Sequence, residues 1–279
     1  MNWENTFLLM NKDREILSFK TIKNKYGSVN FEIISEKNEP HPLGFENLAD
    51  WLEKRQAPKH RAHIERLLRV CGCYDLDGFI RVTRAMTLND TFWIKPEKSG
   101  LVWNEVSLYQ NPFNDTIAKI AFEGGLYGEG FSTTSPEFGT DGTYAKCWIR
   151  KDDKDIYLLK RGTSGARNAG LEPYSEYYAS QVSGQICKDH ISYDLVKHHG
   201  KLASSCKLFT SEKTGFVPIW KALGKTSDPE KLLSYFDSIG SGEAFRRMVV
   251  FDALILNTDR HTGNYGVLVD NDSQEVLKM

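Results

Sequence analysis

The stretch Asn257-Thr258-Asp259-Arg260-His261-Thr262-Gly263-Asn264 decides how the rest of the chain is read. Ahead of it, Phe245, Met248, Val249, Phe251, Leu254 and Leu256 are spaced as a helix that is apolar nearly all round, which predicts a buried helix. Behind it, residues 265–269 read as a strand, 270–273 as a turn, and 276–279 as the start of a partner strand. A loop tied between a helix and a hairpin holds its side chains in fixed places. Asp259 and Asn264 sit on it five positions apart, a carboxylate and a carboxamide oxygen.

That pair is what phosphoryl transfer needs: a carboxylate beside the attacking hydroxyl and an oxygen ligand for Mg²⁺ a few ångströms away. The His-Arg-Asp order of the common protein-kinase loop is absent. Upstream, residues 117–122, 144–150 and 156–160 read as strands, with glycines from Gly124 to Gly142 (Gly128 and Gly130 among them) between them and a hairpin turn at Asp152-Asp153-Lys154-Asp155. A helix follows Pro173, with Tyr177, Val182 and Ile186 on its apolar side. The first third reads as a small mixed unit. Residues 7–10 and 16–19 suggest a hairpin, and Phe45, Leu48, Trp51 and Leu52 recur at helical spacing. A second helix begins near Pro58, carries Ile64, Leu67 and Leu68, and stops at Gly72. Residues 82–94 and 102–109 look extended, and Asn111-Pro112 with Asn114-Asp115 marks a break that places a boundary near residue 115.

Composition narrows the function classes. Lys and Arg number 36 against 37 Asp and Glu, a balance that speaks against a surface built for nucleic acid, so no direct nucleic-acid binding is expected. Lys54, Arg55, Lys59, Arg61, Arg66 and Arg69 form a local basic stretch, but Glu53 and Glu65 interrupt it, which favours a solvated helical face over a phosphate-backbone contact. No apolar run reaches the length of a membrane span, so no membrane association is expected. The start, MNWENTFLLMNKDRE, lacks the pattern of a secretory signal, which predicts a cytoplasmic chain. Five scattered cysteines, with Cys71-Gly-Cys73 unmatched by a second pair at zinc spacing, predict reduced and mostly buried thiols.

The pattern Asn257-x-Asp259-x-His261-x-x-Asn264 after an apolar helix resembles the loop of the HipA-like serine/threonine kinases, and Asp-Arg-His-x-x-Asn is also similar to that of phosphatidylinositol 3/4-kinases. Three upstream features favour the HipA-like branch. Gly139-Thr140-Asp141-Gly142-Thr143-Tyr144-Ala145-Lys146 resembles its Gly-rich phosphate loop, Tyr157-Leu158-Leu159-Lys160 the strand carrying the ATP lysine, and Ser175-Glu176-Tyr177-Tyr178 the helix start that offers a glutamate. The resemblance covers residues 115–279. It implies an α+β, protein-kinase-like two-lobed fold with an extra N-terminal α/β subdomain. The subdomain would span residues 1–115, the N-lobe 116–209 and a partial C-lobe 210–279.

The same resemblance implies ATP and Mg²⁺ as cofactors, Ser/Thr hydroxyls of a protein substrate as acceptors, and an antitoxin or a complementing partner chain. Asp259 takes the catalytic role and Asn264 holds the metal, while His261 either braces the loop or carries a proton. Gly139, Thr140, Asp141, Gly142 and Lys160 cradle phosphates. Lys146 is a second phosphate contact or simply faces outward on its strand. Glu176 pairs with Lys160, with Glu172 one helical turn earlier also available. Ser205-Cys206-Lys207-Leu208-Phe209 runs into the hinge, placing the backbone near Phe209 beside adenine. Ser132, Thr133, Thr134, Ser135, Thr140 and Thr143 are candidate inhibitory autophosphorylation positions, since a phosphate there would repel those of ATP. Each residue also has a plain alternative: glycines that turn a hairpin, a strand-end lysine, an Asp and Asn that cap elements. In this family a second metal-binding Asp follows the hairpin after the loop. Met279 precedes it here, and Asp270 and Asp272 lie in the hairpin turn, so the C-lobe is expected to be incomplete. The alternatives are therefore a pseudokinase, half of a split kinase or, less well supported, a lipid kinase.

Overall fold

Alternation builds the first sheet. In β1 (Thr6–Asn11), Phe7 and Leu9 turn to the core, and in β2 (Arg14–Lys23) Leu17 and Phe19 do the same, with Ile16 buried where the register shifts. β1 and β2 form the expected hairpin, with Phe7 opposite Phe19 and their rings stacked at 5.6 Å. β3 (Val29–Glu36) joins β2, and β4 (Phe92–Pro96) joins β1, giving the antiparallel order β3-β2-β1-β4. The computed structural model describes residues 6–26, 28–58, 61–125, 133–152, 155–163, 169–224 and 226–279. Lys59, Gly128, Gly130, Ser132 and the central Asp153-Lys154 of the expected turn lie outside them. The chain divides into two compact units, Met1–Arg150 and Lys151–Met279.

In the first unit, α1 (Leu48–Glu53), α2 (Ile64–Val70) and α3 (Leu76–Thr83) close over the sheet, burying Leu48, Leu52, Ile64, Leu67, Phe79 and Ile80 with its inner face. α2 begins at Ile64 rather than near Pro58, and Gly72, in the left-handed region at φ 76°, follows its end. Three expectations of extended chain are overturned. Residues 82–94 hold the end of α3 and an irregular stretch at 84–91, and only 92–94 belong to a strand, β4. Residues 102–109 contain the short helix α4 (Trp103–Val106), with the Glu105 carboxylate accepting from the Val102 N–H. Residues 117–122 lie in α5 (Asp115–Glu123). The Asn114 side chain accepts from the Ile117 N–H, and an apolar run buried at 117, 118, 120, 121 and 122 serves a helix as well as a strand. The basic stretch is not a uniformly solvated face either. Arg55 is buried, its guanidinium bonded to Asp90 and to the carbonyls of Ala85 and Phe92 over the Trp51 ring, and Arg61 is 2% exposed. β5 (Lys146–Lys151) is the strand expected after the Gly-rich segment.

In the second unit β6 (Asp155–Arg161), β8 (Lys201–Lys207) and β7 (Tyr193–His198) lie side by side in that order, antiparallel, with α6 (Glu172–Ile186) beside them. β9 (Thr214–Pro218), α7 (Ile219–Leu223), α8 (Pro229–Ser238) and α9 (Gly242–Leu254) follow. β10 (Gly266–Asp270) and β11 (Val276–Lys278) complete an antiparallel sheet of order β11-β10-β9. Phe236 of α8 is fully buried and stacks on Phe245 of α9 at 4.8 Å, with Tyr265 beside both; each such ring contributes roughly 2–3 kcal/mol of burial. The expectation that α9 is buried all round fails. Its buried side chains are Phe245, Phe251 and Asp252; Val249, Val250 and Leu254 are 50%, 59% and 63% exposed, and Leu256 just beyond is 83% exposed. α6 is likewise open, with Val182 exposed.

Candidate functional site

Strand register brings the first group together. Lys160 on β6 pairs with Ser204 on β8, and Ser204 pairs with Leu195 on β7, so Tyr193 falls two residues along on the same face. α6 presents Glu176 to that face. The Lys160 ammonium donates to Glu176 Oε1 at 2.7 Å and to the Tyr193 hydroxyl at 2.7 Å, while the Ser204 hydroxyl donates to Glu176 Oε2. Burial by itself would pull Lys160 down, but Tyr193 and Glu176 outweigh it and hold the ammonium above its ordinary range. Burial pushes the Tyr193 hydroxyl up. Glu172 is engaged elsewhere: its carboxylate accepts from the Thr163 and Gly170 N–H groups, each at 3.1 Å, and from the Thr163 hydroxyl. Tyr193 and Ser204 were not singled out from sequence; the signal for both was the strand pairing, which a single chain does not print.

The second group is the loop after α9. Asp252 is buried on that helix, the one acid in its apolar run, and accepts from Arg260 Nε at 2.7 Å, Arg260 Nη2 at 2.8 Å and Asn257 Nδ2 at 2.8 Å. Arg260 also donates to the Asn264 carbonyl at 3.3 Å. The Asn257 side chain accepts from the Asp259 N–H, and Asn264 Nδ2 donates to the Asp259 carbonyl at 2.7 Å. His261 Nδ1 accepts from the Gly263 N–H at 3.1 Å, a bracing contact. Asp259, His261 and Asn264 are all exposed, and the Asp259 carboxylate makes no hydrogen bond or ion pair among the described residues. The loop is thus fixed from below by the Asp252–Arg260 pair while its carboxylate faces solvent. Asn264 spends its nitrogen on the loop and leaves its oxygen outward, so the loop offers two hard oxygen donors, a set that suits Mg²⁺ completed by water and phosphate oxygens. No group of three or more His, Cys, Asp or Glu side chains gathers at metal-binding distance among the described residues. The Asp270 carboxylate accepts from the Asp272 and Ser273 N–H groups, closing the hairpin turn.

The Gly-rich segment belongs to the first unit. Pro136–Gly139 is a 3-10 turn, and a Cβ at Gly139 would fall 2.5 Å from Thr87 Cγ2. Gly142 is in the left-handed region at φ 93°. Thr140 donates its hydroxyl to the Pro136 carbonyl and accepts from Trp148 Nε1. Asp141, Gly142 and Thr143 are exposed. Lys146 does not face outward: it is 5% exposed and donates to the Asp141 carbonyl at 2.5 Å. Phe209 follows β8, 46% exposed, edge-on to Phe216 at 5.4 Å. The cysteines are all free thiols, with Cys71 and Cys73 pushed up by burial to about 11 and about 12. No helix among the described residues is long and apolar enough to cross a membrane.

No protein-family model and no curated protein matches the sequence. Solved structures do. The proinflammatory kinase CtkA of Helicobacter pylori is 23% identical over 51% of this chain, with a TM-score of 0.44, and the chain spans about half (54%) of its length. HipA of Shewanella oneidensis MR-1, solved with HipB and its operator DNA, is 13% identical; the match covers 98% of this chain and 74% of HipA, with a TM-score of 0.53. The chain has a HipA-like fold, mixed α/β with several antiparallel sheets.

Proposed function

We propose that the chain is a Mg-ATP-dependent kinase of HipA-like type, transferring a phosphoryl group to Ser/Thr hydroxyls of a protein. The observation that carries this is the Lys160–Glu176 ion pair at 2.7 Å on a strand and a neighbouring helix, the pairing that kinase chemistry requires to be in place. Bound Mg-ATP supplies the phosphoryl group and much of the charge neutralisation. Lys160, already fixed by Glu176 and Tyr193, holds phosphate oxygens as a positioned cation. Asn264 Oδ1 would hold Mg²⁺. Asp259 accepts a hydrogen bond from the incoming hydroxyl and takes its proton as the oxygen bonds to phosphorus, with ADP as the leaving group. His261 and the Asp252–Arg260 pair keep that carboxylate aimed. Gly139, Thr140, Asp141 and Gly142 are assigned to the phosphate cradle, and Phe209 to the adenine end. Among the candidate autophosphorylation hydroxyls, Thr143 is exposed, whereas Ser135 is buried on Glu137 and Thr134 and Thr140 donate to carbonyls; Ser132 lies outside the described residues. HipA of Shewanella oneidensis was solved with HipB and DNA, which supports a protein partner for this chain.

The test is transfer of labelled phosphate from ATP by the parent, Lys160→Ala and Asp259→Ala, with nucleotide affinity measured alongside. Turnover by the parent and none by Asp259→Ala is expected, with ATP binding lost in Lys160→Ala. Equal ATP affinity in Lys160→Ala would remove the central assignment. The second reading, a nucleotide-binding module without turnover, is favoured by the Asp270 carboxylate being committed to its turn. It is supported if the parent binds ATP but transfers nothing, alone or with a partner chain.

A further inference from the structure

Tyr193 carries more than the placing of Lys160 requires. It opens β7, and its backbone is pinned from α6. Its N–H donates to Ser180 Oγ at 3.1 Å, and Ser180, 5% exposed, donates in turn to the Tyr177 carbonyl at 2.8 Å. Ser180 lies one helical turn after Glu176, so a single face of α6 holds both the tyrosine's backbone and the lysine's carboxylate. The contacts close on themselves: Lys160 to Glu176, along α6 to Ser180, and back through Tyr193 to Lys160. A phenol ring fixed in this way has its oxygen fixed too. All of these residues belong to the second unit.

The hydrogens of the cluster are unevenly used. Ser204 gives its hydroxyl hydrogen to Glu176 Oε2, and Lys160 gives two of its three to Glu176 and Tyr193. The Tyr193 oxygen accepts from Lys160, but no acceptor among the described residues takes its own hydrogen. One N–H of Lys160 and the O–H of Tyr193 are thus open together, on atoms 2.7 Å apart. The Lys160 and Glu176 side chains are 20% and 28% exposed, so the cluster is open to a solute. Burial keeps the phenol protonated through neutral pH, against the pull of the Lys160 charge toward ionisation. A hydroxyl that accepts from an ammonium is also the stronger donor, because the first bond polarises the second. Bracing the lysine needs only a lone pair of the oxygen; the polarised hydrogen is surplus to that role.

We propose that Tyr193 is a ligand-binding residue, whose O–H and the third N–H of Lys160 together seat the oxygens of one phosphate group of the nucleotide. The proposal rests on the phosphoryl-transfer reading of the chain, which supplies the nucleotide. Glu176 offsets the lysine's charge, so an anion gains little here from field alone and is held by two directed donors. A phosphate carries several strong acceptor oxygens on one centre and satisfies both donors at once.

The experiment uses the full chain, titrated by calorimetry with pyrophosphate, malonate and ATP at matched ionic strength. Tyr193→Phe keeps the ring and the Ser180 tie and removes only the hydroxyl. Pyrophosphate and ATP should each bind it about tenfold more weakly than they bind the parent, while Tyr178→Phe, exposed on α6, should match the parent. Equal pyrophosphate affinity in Tyr193→Phe and the parent, malonate bound as tightly as pyrophosphate, or a loss confined to pyrophosphate and absent for ATP would each overturn the proposal. Replacing Tyr193 by a ring-fluorinated tyrosine separates a ligand donor from a brace and disturbs packing least. The more acidic phenol donates better and accepts worse, so tighter pyrophosphate binding is expected. Weaker binding would leave the hydroxyl only its bracing of Lys160 and overturn the proposal. A chain that transfers no phosphate from ATP yet binds pyrophosphate through Tyr193 would sink the kinase reading and leave this one standing. Transfer from ATP by a chain whose affinities do not respond to Tyr193→Phe would do the reverse.

Discussion

Removing the Asp252 carboxylate should loosen the loop that carries Asp259. In Asp252→Asn the volume is kept, but the side chain can no longer serve both Arg260 Nε at 2.7 Å and Nη2 at 2.8 Å while accepting from Asn257 at 2.8 Å. A hydrogen bond to a buried charged group contributes about 1.5–3 kcal/mol. Arg260, whose side chain is 28% exposed against 11% for Asp252, recovers part of its hydration, so a net loss of about 2–4 kcal/mol is expected rather than the sum of three bonds. Urea unfolding measures that loss. A cycle with Arg260→Gln isolates the pair, with an expected coupling of about 1–2 kcal/mol. The amides of His261 and Asn264, which bond to the Asp259 and His261 carbonyls, should exchange faster in the variant, and phosphoryl transfer should fall with them. Additivity within about 0.3 kcal/mol, with unchanged exchange, would show that Asp252 does not hold the loop.

Other outcomes follow from the same structure. Glu137 is held above the ordinary carboxyl range by burial, so its ionisation costs the folded state at neutral pH and the cost is relieved as pH falls through that raised value. Glu137→Gln should therefore be more stable than the parent at pH 8, with the gain shrinking toward pH 4 in thermal melts; a gain that grew on acidification would contradict the burial argument. Asn114→Ala removes the cap of α5 and should cost about 1 kcal/mol, read as a lower urea midpoint; no change would mean the Ile117 N–H finds another partner. Val250→Lys on the 59% exposed face of α9 should alter stability by no more than about 0.5 kcal/mol, and a loss above about 1.5 would show that this face is packed.

What the sequence made legible was local. The Asp259–Asn264 spacing, the strand ending in Lys160 and the helix offering Glu176 each lie within a few residues, and their order along the chain is itself information. The β1–β2 hairpin was legible for the same reason, because its partners are neighbours. What failed depended on partners far away. Arg55 is buried because Asp90 and the Ala85 carbonyl meet it from thirty or more positions along the chain, and Arg61 because residues 140–143 lie over it. The apolar surround of α9 predicted burial, but apolarity states a demand for cover without saying that the cover is present. At 117–122 the periodicity was ambiguous between strand and helix, and the deciding signal was the single polar residue Asn114 in front of it.

The ammonium of Lys160 bears three hydrogens, and Glu176 and Tyr193 account for two. Among the described residues no third acceptor meets it, so under the proposed function a phosphate oxygen would complete a tetrahedron instead of competing for a place in one. The carboxylate has already cancelled the lysine's charge at long range, so such a ligand is met by direction more than by field. Discrimination at this point in the chain is then a matter of where one N–H bond aims, and Tyr193, by fixing the second corner of that tetrahedron, sets the angle of the third.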